Sequence, residues 1–373
     1  MVERGSHPLT EVLSLVAPGT PLRDGLDRVL QAKRGALVVV GDDAGVLSIC
    51  TGGFLLDAEF SPQRLAELAK MDGAIILAPD ASRIARANVH LMPKASIPTT
   101  ETGTRHRTAE RVARSLDVPV ITVSGSMSTI SVYRDDRKHI VERTHRLLDR
   151  AGQALSTLQR FKSRFDLAIA TLSTLEVEDT VSVRDVVAVV APGEMIVRIS
   201  GEIEGYLVEL GEDGRLINLQ LQELASGAER SFRLVLGDYV VARELGGVRG
   251  DGKVPPREER ERLIGRAVAA LRRLSADELV DPVLVAATLG LGGSPGGLDA
   301  EVEPRGYRLL NRLPRISDVI IDRIVERFLH LPGILQASLG DLEEVGGVGG
   351  AKARAVKDGL ARIVEASILE RYD

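Results

Sequence analysis

The densest group of polar side chains in the first third of the chain lies at residues 101–108, with the sequence Glu-Thr-Gly-Thr-Arg-His-Arg-Thr. Four arginines stand against two glutamates across residues 101–115, so this segment is basic within a chain of net charge −5. Gly103 lets a ligand approach the backbone, hydroxyl and guanidinium groups donate hydrogen bonds, and a helix that begins here adds free N–H groups. These features describe a cradle for a polyphosphate. A solvated helix start with surface arginines has the same composition, and both interpretations remain open.

A single carboxylate, Asp72, precedes Gly73 and an apolar run. The simplest interpretation is a turn in which Gly73 takes a positive φ. A polyphosphate site also needs a divalent cation, and proteins often hold magnesium through one carboxylate together with substrate phosphates. Asp72 is therefore the candidate metal ligand, and it could also orient or take the proton of an attacking sugar hydroxyl.

A second candidate site lies near the C-terminus, where Gly347 and Gly349 flank a valine within a run of glycines. Residues 345–362 carry four basic side chains, Lys352 and Lys357 among them, against one aspartate. Backbone N–H groups of such a turn, next to a helix start, bind phosphate. The pattern resembles a helix-hairpin-helix DNA-binding domain of the RuvA type, which grips the duplex backbone without reading bases. A purely structural hairpin is the alternative, since residues 301–373 have 11 basic against 12 acidic residues.

The composition limits what else the protein can be. The 373 residues, 44% hydrophobic and 27% charged, predict a globular chain of two or three domains. One cysteine, Cys50, excludes an intrachain disulfide and a thiolate zinc cluster. No apolar run is long enough for a membrane helix, so we expect a cytoplasmic protein without a membrane partner.

The elements that position the first site alternate between strand and helix patterns from residue 35 to about 145. This alternation predicts an α/β domain at residues 1–145, with a mixed sheet and helices on both faces. The expected strands are residues 36–40, 46–49, 74–77 and 118–123, followed by a hairpin at 131–141. Ser61 is expected to cap one helix, and a second helix is expected to follow residue 108.

The rest of the chain is predicted to be mainly helical. Apolar residues at helical spacing between Leu148 and Leu172 predict a long helix, which begins an all-α spine over residues 146–290. Within that spine we expect a short strand pair near residues 197–208. The glycine-rich residues 290–297 are interpreted as a linker, and residues 291–373 as the helix-hairpin-helix domain. Leu313 to Ser317 is interpreted as a degenerate copy of the glycine hairpin.

The motif Asp72-Gly73-Ala74, followed about thirty positions later by Gly-Thr-Arg-His-Arg-Thr-Ala-Glu-Arg at residues 103–111, closely resembles the diadenylate cyclase family. With its helical middle and terminal hairpin, the whole chain resembles the DNA-binding members of that family, which make cyclic di-AMP from two ATP. The resemblance implies that Asp72 serves the metal and the attacking hydroxyl, and that the phosphates are served by Arg105, His106 and Arg107. It implies ATP contacts at Gly73, Ala74, Leu91, Gly103, Thr104, Arg105, His106, Arg107, Thr108 and Ser124.

The resemblance also implies partners. The metal is Mg²⁺ or Mn²⁺, the assembly is a homo-octamer with facing cyclase domains, and DNA, particularly branched DNA, modulates synthesis. The symmetric product independently requires two active sites that face each other, because each holds one ATP. The alternative function is a DNA-binding scaffold that only senses ATP, which would not need Asp72 at a metal. A repair nuclease is disfavoured, because the sequence has no evident cluster of metal-binding carboxylates.

Overall fold

The computed structural model of the protein describes residues 8–244, 254–292 and 297–369. The chain divides into two compact units, one formed by residues 1–153 with 202–219 and the other by residues 154–201 with 220–373. Each unit is described separately below. Among the described helices, none has the length and apolar character needed to cross a membrane.

The first unit contains an eight-stranded sheet in which β1 lies centrally, parallel to β4 and antiparallel to β6. The strands are β1 Ala36–Val40, β2 Cys50–Thr51, β3 Phe54–Glu59, β4 Ala74–Leu77, β5 Arg83–Leu91, β6 Val120–Ser124, β7 Thr129–Arg134 and β8 Arg137–Val141. Their order is β2-β5-β4-β1-β6-β7-β8, with β3 also paired to β5. The expected α/β class with a mixed sheet is confirmed, and the hairpin predicted at 131–141 is formed by β7 and β8.

Helices cover both faces of the sheet, as predicted. They are α1 Pro8–Leu15, α2 Pro21–Gln31, α3 Ala44–Ser48, α4 Pro62–Leu68 and α5 Thr104–Leu116. Alternate residues of β1 point to opposite faces of the sheet and belong to two different apolar cores. Val38 packs with α1, α2 and α4, whereas Val39 packs with α3 and α5. Ser61 caps α4 as expected, since its side chain accepts a hydrogen bond from the Arg64 N–H.

Two sequence predictions in this unit need correction. Residues 46–49 were expected to form a strand, but Val46 lies in α3, because the Asp43 side chain accepts its N–H at 2.8 Å and caps a helix there. A short apolar run does not distinguish a buried strand from a buried helix turn. Helix α5 begins at Thr104 rather than after residue 108, so the whole Arg-His-Arg motif is helical.

The second unit is all-helical. It contains part of α6 Thr144–Glu178, α7 Val183–Leu210 and α8 Arg215–Ala225, whose other residues belong to the first unit. It also contains α9 Ala228–Glu244, α10 Arg257–Leu271 and α11 Pro282–Thr288. The long helix predicted from Leu148 to Leu172 is α6. The strand pair predicted near residues 197–208 is wrong, because Ile196, Ile199 and Ile203 recur at helical spacing and are all buried in α7. Within the predicted linker at 290–297, residues 293–296 lie outside the described residues.

Five helices follow and share one apolar core: α12 Tyr307–Leu310, α13 Asp318–Phe328, α14 Leu331–Gln336, α15 Leu339–Glu343 and α16 Gly350–Leu369. Helix α13 ends at Phe328, before the predicted break at Leu331-Pro332-Gly333, and these three residues begin α14. Two pairs of helices, α12 with α13 and α15 with α16, are joined by short hairpins. The residues after 300 therefore form the helical pairs expected from the sequence.

A buried ionic network joins these last helices to α6 and α9. Arg308 donates hydrogen bonds to Glu176 of α6, and both side chains are almost fully buried. Asp238 of α9 accepts three backbone N–H groups from residues 306–308, at 2.8 to 2.9 Å, and so caps α12. Burial, with the nearby Glu176 charge, raises the pKa of Asp238 to about 7. Cutting the chain before residue 301 would remove these hydrogen-bond partners of Glu176 and Asp238 and uncover Leu234, which packs against the core of the last helices, so the remaining helices should be less stable.

A half-buried ion pair joins β8 to the end of α7 in the first unit, and it predicts a pH dependence of stability. His139 Nε2 lies 2.9 Å from Glu209 Oε2, and this hydrogen bond raises the pKa of His139. The pair is present in full below the unfolded-state pKa of histidine and is lost as pH rises through the folded-state pKa. We therefore expect the difference in unfolding free energy between the parent and His139→Gln to shrink as pH rises above about 6.5, the ordinary pKa of histidine. Urea denaturation at several pH values measures it, and a pH-independent difference would contradict the prediction.

Candidate active site

One cleft of about 640 Å³ in the first unit contains most of the predicted site residues. Strand β4 begins and β6 ends at the same edge of the sheet, because β1 is parallel to β4 and antiparallel to β6. The N-terminus of α5 lies at that edge. The cleft is lined by the predicted residues Asp72, Gly73, Ala74, Leu91, Gly103, Thr104, Arg105, His106, Thr108 and Ser124.

Asp72 and Arg105 form the central pair of the cleft. Arg105 Nη2 donates to Asp72 Oδ1 at 2.6 Å, although the two residues are 33 positions apart in sequence. The Asp72 side chain is 93% exposed. Its second oxygen, Oδ2, accepts no hydrogen bond from the described residues. Asp72 can therefore bind a cation through one oxygen while Arg105 orients the other.

Two glycines make this pairing possible. A Cβ atom on Gly73 would lie 2.4 Å from the Asn88 backbone, so the strand that follows Asp72 packs directly against β5. A Cβ atom on Gly35 would lie 2.7 Å from Arg105 Nη1, which is closer than van der Waals contact allows. A side chain at residue 35 would therefore force this end of the guanidinium to shift. Gly35 was not predicted from the sequence as a site residue.

The N-terminus of α5 opens into the cleft. Gly103 is the N-cap residue, and because it has no side chain, no side-chain hydrogen bond caps the helix. The first N–H groups of a helix have no intrahelical partner and bind anions. The Thr108 hydroxyl donates to the Thr104 carbonyl at 3.0 Å, so in this arrangement it can only accept from a ligand.

His106 is held by a polar network that the sequence analysis did not identify. Its Nδ1 lies 2.7 Å from the Tyr133 hydroxyl and 3.2 Å from Thr122 Oγ1. Tyr133 in turn donates to Glu101, which also pairs with Lys138. Burial lowers the pKa of His106 and raises that of Tyr133. Only Nε2 of a largely neutral His106 is left for a ligand.

One feature of the sequence, the tyrosine in β7, could have indicated this polar network. Tyr133 is the one aromatic residue of β7, and it faces the core side that α5 covers. A buried tyrosine needs a hydrogen-bond partner for its hydroxyl group. The identity of that partner depends on the register between β7 and α5, which the sequence alone does not give.

Arg107 is the predicted residue that does not line the cleft. It is exposed on α5, and its side chain forms no hydrogen bond or ion pair with the residues described. Successive helix positions differ by about 100°, so Arg105 and Arg107 point in nearly opposite directions. A role of Arg107 at the phosphates stays a prediction.

The donor set of the cleft fits a metal that is held mainly by its substrate. Among the described residues, no group of three or more histidine, cysteine, aspartate or glutamate side chains could hold a metal ion. Asp72 is the sole carboxylate among the residues that line the cleft. One carboxylate together with phosphate oxygens and water suits Mg²⁺, which binds few protein ligands.

The glycine hairpin in the second unit is a separate candidate site. Gly347 has φ +87°, a conformation that glycine adopts without strain. Lys352 Nζ donates to the Gly347 carbonyl at 3.1 Å. Arg323 Nη1, from α13, donates to the Gly346 carbonyl at 2.6 Å. Lys352 and Arg323 therefore place two exposed cations against the hairpin that contains Gly347 and Gly349.

Lys357 differs from Lys352 in its contacts. Its ammonium group donates to the carbonyls of Leu335 and Ala337, at 3.0 and 2.6 Å. These two bonds hold the end of α14, so the position of Lys357 is explained without DNA. Its predicted role in DNA binding stays a prediction, and we use other side chains to test the hairpin.

The segment Leu313 to Ser317, interpreted as a degenerate hairpin, has a similar backbone. Arg315 has φ +64°, and Gly347 in the other hairpin has φ +87°. Each precedes by three positions the first residue of a helix, Asp318 in α13 and Gly350 in α16. The two segments therefore share a left-handed residue at equivalent positions, although only one of them contains glycine.

Comparisons with known proteins match two consecutive parts of the chain to one family of proteins. Residues 23–138 match the family described as "DisA bacterial checkpoint controller nucleotide-binding", and residues 141–296 match "DisA bacterial checkpoint controller linker region". The DNA integrity scanning protein DisA of Streptomyces coelicolor is 51% identical over 360 residues, which cover 96% of this chain and 93% of that protein. The protein of the same name from Frankia alni is 48% identical over 368 residues, or 99% of this chain and 98% of that one.

Solved structures give a weaker likeness. The crystal structure of a double mutant of DacA from Staphylococcus aureus is 23% identical and covers 37% of this chain and 91% of that chain. Its TM-score is 0.29.

Proposed function

The chain belongs to the family of DisA bacterial checkpoint controllers, and from that membership we propose that it is a diadenylate cyclase that also binds DNA. The reaction condenses two ATP into cyclic di-AMP and two pyrophosphates. The observation that carries the proposal is the contact between Asp72 and Arg105 at the open N-terminus of α5. This arrangement combines a metal-binding carboxylate, a guanidinium and helix N–H groups in one cleft, as phosphoryl transfer requires.

Each part of the cleft has a role in the proposed reaction. The backbone of Leu91 binds adenine, and Thr104 and Arg105 bind phosphates with the N–H groups of α5. His106 binds phosphate as the imidazolium, in which Nδ1–H donates to Tyr133 and Nε2–H donates to the ligand, because a bound polyphosphate favours the charged form. Gly73, Ala74 and Gly103 allow the nucleotide to approach the backbone, and Thr108 and Ser124 contribute hydroxyl groups. Asp72 orients the 3′-hydroxyl for attack on the α-phosphorus, and pyrophosphate leaves as the new P–O bond forms.

The metal is proposed to be Mg²⁺ or Mn²⁺, held by Asp72 and the phosphates of ATP. When bound, it would neutralise charge on the phosphates and on the leaving pyrophosphate. Asp72 suits this role because its side chain is exposed and one of its two oxygens has no partner in the part of the chain described.

The symmetry of the product supports an assembly in which two copies face each other. One cleft holds one ATP, so each 3′-hydroxyl must attack the α-phosphate held by the other copy. We propose a homo-octamer in which cyclase units meet in this way. Arg107, exposed beside the cleft, is then available to the facing copy.

DNA binding is proposed for the hairpin at Gly347 to Gly349, with Lys352 and the neighbouring Arg323 as its cations. Branched DNA is the proposed ligand, and its binding modulates synthesis. A cytoplasmic location accords with the free Cys50 and with ATP as the substrate. The ATP-sensing scaffold is disfavoured, because sensing alone does not require Asp72 in contact with Arg105.

The test of the proposed activity is direct. The protein is incubated with ATP and magnesium, and the products are identified by chromatography and mass spectrometry. Cyclic di-AMP together with pyrophosphate, two per cyclic product, supports the cyclase. Bound but unchanged ATP would support the scaffold instead.

Arg105→Ala is expected to lower kcat/KM for ATP roughly tenfold, because it removes a charged hydrogen bond that is worth about 1.5 kcal/mol in a partly exposed site. AMP affinity should fall less, since AMP has fewer phosphates. Steady-state kinetics and calorimetric binding of both nucleotides measure these effects. Equal losses for ATP and AMP would indicate a structural role.

Arg107→Ala is the companion variant. A loss as large as that of Arg105→Ala would place Arg107 at the site of a facing copy, because Arg107 does not line its own cleft. An unchanged kcat/KM would remove Arg107 from the proposed site.

A further inference from the structure

Lys33 occupies a position in the fold that favours glycine. Helix α2 ends with two paired hydrogen bonds, from the Arg34 N–H to the Val29 carbonyl at 3.1 Å and from the Lys33 N–H to the Leu30 carbonyl at 2.9 Å. This is a Schellman motif, whose left-handed residue is usually glycine. Lys33 is that residue, with φ +52°. A glycine would fit this backbone with less strain, so replacing Lys33 by glycine should not destabilise the helix end.

Lys33 is one of two long basic side chains in the cleft. Lys33 and Arg105 are the lysine and arginine residues that line it. Arg105 is already paired with Asp72. Lys33 is exposed, and its side chain makes no hydrogen bond or ion pair to any residue in the described ranges. It is therefore the cation of the cleft that is available to neutralise a strongly anionic ligand.

The neighbouring turn places this lysine beside hydroxyl groups. A Cβ atom on Gly125 would lie 2.3 Å from the Lys33 carbonyl oxygen, so the turn after β6 packs directly on the Lys33 backbone. Ser124 and Ser126, on either side of Gly125, have hydroxyl oxygens 3.3 Å apart, and both line the cleft. An ammonium group next to serine hydroxyls and an exposed backbone turn is chemistry that suits phosphate oxygens.

We infer that Lys33 is a phosphate-binding residue of this cleft, and that its ammonium group binds the β- and γ-phosphates of ATP and the pyrophosphate that leaves. The inference rests on the proposed cyclase function. Arg105 shares its charge with Asp72, and one divalent cation would leave a triphosphate with net negative charge, so the diphosphate end of ATP needs a further cation. Lys33 would then select ATP over AMP.

A substitution at residue 33 can remove the ammonium group without straining the backbone. Lys33→Gly removes the side chain and suits the left-handed backbone, so the melting temperature should equal or exceed that of the parent. The KM for ATP should rise roughly five- to tenfold, as expected when one charged contact to phosphate is lost. AMP affinity, measured by calorimetry, should be unchanged, and inhibition by added pyrophosphate should weaken. Lys33→Arg should restore ATP affinity.

Arg34→Gln is the matched control, because it removes one positive charge from the next residue, which does not line the cleft. Its KM for ATP should match the parent. The inference is overturned if Lys33→Gly binds ATP like the parent, if ATP and AMP weaken equally, or if Arg34→Gln is equally harmful. In each of these cases the proposed function is still supported if the parent protein makes cyclic di-AMP. A parent that makes no cyclic di-AMP would instead contradict the proposed function.

Discussion

Replacing Asp72 with asparagine is expected to lower the rate of cyclic di-AMP synthesis by roughly 10²-fold or more. Asparagine has nearly the same volume and keeps an oxygen that can accept from Arg105, but it lacks the negative charge that a divalent cation requires. The side chain is 93% exposed, so its replacement should not disturb the fold. The variant therefore separates the chemistry of the carboxylate from its contribution to structure.

The measurement is product formation from ATP at saturating magnesium, with the melting temperature and ATP binding followed in parallel. Asp24→Asn, an exposed aspartate in the first turn of α2, is the matched control and should keep the parent rate. Turnover near that of the parent by Asp72→Asn, in magnesium, would remove Asp72 from the metal site. A lowered melting temperature would show that the loss of activity has a structural cause.

Reversing two charges on α16, with Lys352→Glu and Arg354→Glu, is expected to weaken DNA binding roughly 10- to 100-fold at low salt. Both side chains are exposed on the first turns after the hairpin. Contacts to backbone phosphates release counterions, so the slope of log K against log salt should become less steep by about 2. The loss should be similar for all sequences, because these contacts read no bases.

Full-length protein is the appropriate material for this test, because Arg308 and the α12 backbone complete a buried network with Glu176 and Asp238. Arg266→Glu with Arg273→Glu, exposed elsewhere in the same unit, reverses the same charge and is the control. Cyclase activity without DNA should be unchanged in both double variants. If Lys352→Glu with Arg354→Glu binds junction DNA like the parent across a salt titration, the glycine hairpin is structural.

The parts of the fold that depend on short-range sequence patterns were predictable. The strands at residues 36–40 and 74–77 are apolar at consecutive positions because helices cover both faces of the sheet. Ser61 before Pro62 identifies a helix start, and the spacing of apolar residues between Leu148 and Leu172 identifies α6. The strands predicted at residues 46–49 and 197–208 were wrong, because residues 46–48 and 197–208 are helical. A short apolar run is compatible with either a helix or a strand until its caps and packing partners are known.

The sequence by itself determined the candidate functional groups: a lone carboxylate at Asp72, a basic segment after Gly103 and a glycine hairpin near the C-terminus. Only the tertiary structure decided which of these side chains meet. Arg105 reaches Asp72 and Arg107 does not line the cleft, because about half a helical turn separates their directions and the position of β4 in the sheet fixes where Asp72 lies. The structure also places Lys33 in the cleft and Tyr133 against His106. The sequence did not predict these positions, because contacts between residues far apart in sequence depend on the whole arrangement of strands and helices.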